Sequence, residues 1–145
     1  MPEARVLEPD LGAQLVEAIL DRAAAQLGDI TPHVMERYYA ATPHARERFE
    51  FHSPGRPARL EGEMIEQALY CLMRWHSDRG EIEIVLATTV PHHLHALGIA
   101  VALFTGLIDA VCETVAATIP ANQADEMRCW NEMRRTMKEF MIENA

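Results

Sequence analysis

The chain is expected to be all-α, and three observations carry that expectation. Apolar residues recur at three- and four-residue spacing through almost the whole sequence, and glycines and prolines punctuate the pattern at helix-length intervals. Only one short run, Ile82, Ile84, Val85 and Leu86, alternates and branches like a strand, and it has no second strand to pair with. It is read as helix or turn. At 145 residues and 49% hydrophobic composition, the chain suits a single domain, 1–145, with enough apolar side chains for a core.

Residues 11–27 place Leu15, Val16, Ile19, Leu20, Ala23 and Leu27 on one helical face, and Gly28 supplies a stop. Thr31-Pro32 reads as a start, a capping hydroxyl with proline in the first helical position, for a second helix through Val34, Met35, Tyr38 and Tyr39 toward Pro43. Residues 43–49 suit one short helix. Residues 51–57, with Pro54, Gly55 and Pro57, are expected to form the longest irregular loop. Residues 60–75 set Leu60, Met64, Ile65, Ala68, Leu69, Leu72 and Met73 on one face, with Glu61, Glu63, Glu66 and Arg74 largely off it; Gly80 is expected to close that region. Pro91 cannot donate to a helical ladder, so the residues around it are expected on a short, kinked or freshly started helix. Residues 99–119 and 124–142 are expected to be the two longest helices, separated by Pro120, the second capped by Asn122. The total is seven or eight helices, without repeats or low-complexity segments.

A formal net charge of -9, from 22 acidic and 13 basic residues, repels phosphate backbones and anionic lipid, so neither nucleic acid nor membrane is an expected partner. Residues 1–10 lack a basic stretch followed by an apolar run, and nowhere do 18 apolar residues stand together; a cytoplasmic protein is expected. Cys71, Cys112 and Cys129 are widely spaced within helical patterns and read as buried thiols, not disulfides or zinc ligands. There is no C-x-x-C, H-E-x-x-H or G-x-G-x-x-G and no Ser/His/Asp or Cys/His arrangement, so hydrolytic chemistry is not expected and any redox turnover would need a separate reductase.

The chemistry-bearing cluster is Pro91-His92-His93-Leu94-His95, directly ahead of a long amphipathic segment. Neutral imidazole is the commonest metal ligand, and a helical histidine beside an apolar cavity is what axial ligation of haem iron requires. Two further patterns give the cluster a context. Pro43-His44-Ala45-Arg46-Glu47-Arg48-Phe49 resembles the P-x-x-x-x-x-F signature by which globins lay a phenylalanine against the haem. His93, Leu97, Ile99 and Phe104 satisfy H-x-x-x-L-x-I/V-x-x-x-x-F, which resembles the globin run from the proximal histidine into the next helix. From Ile30 to Phe51 the chain also resembles bacterial single-domain globins of the kind related to flavohaemoglobins, and the resemblance covers roughly residues 11–140.

That resemblance implies a globin-like fold and haem b. It implies His93 as the iron ligand, with His92 and His95 as alternatives one register step away, Phe49 as the ring-stacking residue, and Leu97, Ile99 and Phe104 as the proximal apolar wall. On the distal side it implies Met35 where many bacterial globins have a donor tyrosine, Glu61 or its neighbours where they have glutamine or histidine, and Ile65 and Leu69, together with Phe51, as an apolar lining. Met64 offers a thioether there, which is read chiefly as a gap-filler. Glu61 is read as a solvated residue at the pocket mouth. A pocket so poor in donors suits carbon monoxide better than bound oxygen, whose partial negative charge benefits from a donor. The function implied is reversible binding of a diatomic gas, oxygen, carbon monoxide or nitric oxide, as carrier, scavenger or sensor. The competing expectation is a haem-free globin fold acting as a regulatory or interaction module. Helical domains of this size often pair through their last two helices, so a homodimer is an expected state to test.

Overall fold

The structure is a computed structural model that describes residues 9–145, and over these it is all-α, with no strand. The reading of the N-terminus as free of an export segment rests mainly on residues 1–8 and lies outside the described residues. Seven helices follow in order: α1 (Pro9–Leu27), α2 (Thr31–Ala41), α3 (Ala45–His52), α4 (Pro57–Arg74), α5 (Arg79–Ala96), α6 (Val101–Ala116) and α7 (Ala124–Glu143). They enclose one hydrophobic core. Helix α6 packs against α1, α2, α4, α5 and α7, while α3 bridges α2 and α4. This is the all-α architecture of about seven helices expected from the sequence. Among the described residues no helix is long and apolar enough to cross a membrane.

Several boundaries differ from the sequence expectation, each for a local reason. Gly28 closes α1 in the left-handed region (φ 68°) as its amide donates to the Ala24 carbonyl, but the start of α2 lies earlier than Thr31 suggested. Ile30 is the capping residue, and the Asp29 carboxylate, not the Thr31 hydroxyl, accepts the free Thr31 amide at 3.0 Å. Helix α3 begins two residues after Pro43 and runs past Phe49 to His52, so the expected long loop shrinks to 53–56. Gly80 closes nothing: it lies in the first turn of α5, behind Arg79, whose guanidinium sits 3.8 Å from the Trp75 ring centroid. Pro91 does not break α5 either. The helix continues through it to Ala96, because burial of Val90 and Leu86 outweighs one missing amide. The longest helices are α7 and α1, not α6 and α7. Asn122 does not cap α7; Gln123 occupies that position without a side-chain bond.

What holds the start of α7 is Glu126 in its first turn. Its buried carboxylate takes two hydrogen bonds from Arg22 of α1, at 2.6 and 2.8 Å, and this guanidinium holds the carboxyl below its ordinary value. Further along α7, Trp130 donates its indole N–H to the Cys112 carbonyl at 3.0 Å. Below it Met133, Met137 and Met141 form a fully covered thioether seam at four-residue spacing. Each such side chain contributes about 1.5–3 kcal/mol by burial. All three cysteines are free and buried, as their helical positions implied.

His76, in the turn between α4 and α5, is wedged between α1 and α7. Its Nε2 lies 3.8 Å from the Cys129 thiol, and its ring lies so close to α1 that a Cβ on Gly12 would come within 2.7 Å of Nδ1. Gly12→Ala should therefore lower the urea midpoint, against the gain of about 1 kcal/mol expected from helix propensity alone. Adding His76→Ala should return that gain; a Gly12→Ala variant as stable as the parent would show that the ring moves freely. Burial, aided by Arg79 and opposed by Glu132, pulls the His76 imidazole below its ordinary value of 6.5, so the folded state favours the neutral ring. That contribution is fully present above pH 6.5 and is lost as pH falls below it. The urea midpoint is expected to drop more between pH 8 and 5.5 in the parent than in His76→Gln.

Candidate functional site

The site is built around the last turn of α5. His93 shares an edge of that helix with Ile82, Leu86 and Thr89, which points it inward, whereas His92 and His95 project from other faces and are exposed. The His93 Nδ1 lies 2.8 Å from the Thr89 carbonyl one turn earlier. A carbonyl only accepts, so Nδ1 carries a proton, and in the neutral ring Nε2 keeps its lone pair. The ring stands edge-on to Phe104 of α6, centroids 5.0 Å apart at 80°. Behind it, Gly98 (φ 67°) turns the chain and the Ile99 amide donates to the His93 carbonyl at 2.8 Å. Arg48 of α3 donates to the Leu97 and Gly98 carbonyls, both at 3.2 Å.

An aromatic group fills the space between α2 and α3. Phe49 is buried with its ring edge-on to Tyr38 and to Tyr39, at 6.1 and 6.0 Å. Tyr38 donates its hydroxyl to the Leu103 carbonyl at 2.9 Å, beside Phe104, and burial pushes its phenol up to about 12. The Tyr39 hydroxyl donates to Glu61 of α4 at 2.6 Å, while the Arg46 guanidinium lies 4.2 Å from its ring centroid. Burial first, then the Glu61 carboxylate, raises the Tyr39 phenol well above its ordinary value. Both phenols are protonated and both hydroxyls are engaged.

The structure thus brings His93 and Phe104 into contact, and links them through Leu103 and Tyr38 to Phe49. It does not gather the expected distal residues into one pocket. Met35 is buried in the core; Met64 is half-buried against it. Ile65 and Leu69 line a groove of about 470 Å³ between α1 and α4 whose walls include neither His93 nor Phe104. Glu61 and Phe51 line a separate concavity of about 550 Å³ with Tyr39 and Arg46, and Phe51 is 70% exposed. The Tyr38, Tyr39 and Phe49 rings pack against one another between α2 and α3, while Ile65 and Leu69 face α1. On the proximal side Ile99 is half-buried, while Leu97 is exposed and contributes its carbonyl to Arg48 instead of an apolar wall.

Among the described residues no three His, Cys, Asp or Glu side chains gather around a common point that could hold a bare metal ion. One imidazole with a free Nε2 suits an iron whose other ligands arrive in a macrocycle. Sequence reasoning missed Tyr38, Tyr39, Arg48 and Thr89. The Thr89 contact was readable from its four-residue spacing to His93, had the helix been expected to continue through Pro91. No protein-family model, curated protein or solved structure matches the chain. Long-range proton–nitrogen correlation of the imidazoles is expected to report His93 as the Nδ1–H tautomer. Phe104→Ala, by freeing the ring, should introduce the other. An Nε2–H signal for His93 in the parent protein would remove the geometry described above.

Proposed function

We propose that this chain is a haem-binding globin that reversibly binds a diatomic gas at an iron held by His93. The observation that carries the reading is the bond from the His93 Nδ1 to the Thr89 carbonyl. It fixes the tautomer and aims the other nitrogen away from its own helix, which is what a second partner does for a metal-ligating histidine. Phe104 against the imidazole, and Phe49 at the end of the Tyr38 link, are the apolar partners a porphyrin face requires. Haem b would supply the iron and an open axial position for the gas.

The surroundings favour a ligand that asks for no hydrogen bond. Phe104 and Phe49 have no donor, and the Tyr38 and Tyr39 hydroxyls are committed to Leu103 and Glu61. Carbon monoxide and nitric oxide suit such a site better than oxygen. A homodimer formed through the last two helices remains part of the proposal.

A haem-free regulatory module is the second reading, and two observations favour it: Phe49 already has two aromatic partners, and the distal residues do not share a cavity. Haemin titration separates the two. Wild type and the His92→Ala and His95→Ala variants are expected to develop an intense Soret band that shifts on reduction and again under carbon monoxide. His93→Ala should lack the native band, and His93→Gly should regain it with added imidazole. Persistence of the native spectrum in His93→Ala transfers the ligand role to His92 or His95, and a wild-type protein that takes up no haemin favours the haem-free module.

A further inference from the structure

We propose that Arg48 is the positioning residue for His93, fastening to α3 the turn on which the imidazole-bearing helix ends. The consequence for iron rests on the haem reading; the geometry does not. Helix α5 arrives at this turn weakened. Pro91 has no N–H, so the Ala87 carbonyl loses the donor it would find four residues on, and the last carbonyls of any helix lack partners of their own.

Arg48 compensates from outside. The two hydrogens of its Nη2 reach one carbonyl each, Leu97 and Gly98, both at 3.2 Å. The charge stands at the negative end of the α5 dipole, where a cation is favoured. Among the described residues Arg48 is the only side chain from another element that hydrogen-bonds to residues 89–100. The turn it grips is also the one closed by the Ile99 amide on the His93 carbonyl itself. Gly98 suits this turn because its φ of 67° is strained for other residues. Phe51, exposed on the same helix as Arg48, places its ring 5.6 Å from the guanidinium carbon and limits where that group can swing.

Arg48 also stands next to Phe49, so one dipeptide of α3 reaches both the aromatic group and the end of the histidine helix. Displacing the guanidinium would let the last turn of α5 shift against Phe104 without unmaking the core. The role is therefore one of orientation: Arg48 hydrogen-bonds to the backbone of the turn and not to the imidazole.

The test compares wild type, Arg48→Ala and Arg48→Lys. In the protein without haem, hydrogen exchange at the Ile99 amide should quicken roughly fivefold or more in Arg48→Ala and be partly restored in Arg48→Lys, with thermal unfolding little changed. In haemin-loaded protein, Arg48→Ala should shift the iron–histidine stretching band of the reduced form and lose haem to a scavenger roughly tenfold faster. Unchanged Ile99 exchange together with an unchanged band overturns the proposal. If wild type takes up no haemin, the haem reading falls and Ile99 exchange alone decides: faster exchange in Arg48→Ala upholds the clamp, equal exchange overturns it. Should Arg48→Ala not fold, Arg48→Gln, which keeps most of the stem without the charge, carries the same comparison.

Discussion

An apolar helix with eight of its sixteen residues buried cannot lie on a surface; it needs a shell, and α6 obtains one from five of the six other helices. The position of nearly every other element follows from that requirement. Helix α2 covers one side and anchors there through the Tyr38 hydroxyl on the Leu103 carbonyl. Helix α7 covers another through the Trp130 indole on the Cys112 carbonyl, with Asp109 receiving Arg134 and Lys138 at the solvent edge. The buried contact combines apolar area with a satisfied donor, while the half-buried ion pairs at the edge add register.

The aromatic group between α2 and α3 competes with any cavity for the same volume. Close packing rewards a filled interior, and Phe49 against two tyrosines fills it well. A cofactor entering this region would have to displace or lever apart rings whose hydroxyls are already committed, one to a backbone carbonyl and one to a carboxylate. The bond that Tyr39 makes to Glu61 crosses from α2 to α4 at the rim, so opening on that side costs a hydrogen bond to a charged group as well as ring contacts.

The helices were legible in the sequence because burial of one face leaves a three- and four-residue signature, and Val16, Ile19 and Ala23 or Ile65, Ala68 and Leu72 carry it plainly. Proline and glycine misled because their local preferences were overruled by packing: Pro91 within α5 and Gly80 inside a first turn. At the candidate site His93, Phe49 and Phe104 could be named in advance, since residue type and spacing single them out. Arg48, Tyr38 and Tyr39 could not. Each looks like an ordinary residue on an amphipathic helix, and each acquires its role from a partner 22 to 65 positions away in the chain.

The thioether seam on α7 has a chemical corollary. Met133, Met137 and Met141 are fully covered, so an oxidant in solution reaches their sulfurs only from a state in which α7 has lifted from its neighbours. Once one becomes a sulfoxide, a polar and bulkier group stands where an apolar one was packed, and the helix cannot close as before. The seam therefore behaves as a ratchet: transient opening is recorded covalently, and damage at one methionine exposes the next one a turn away.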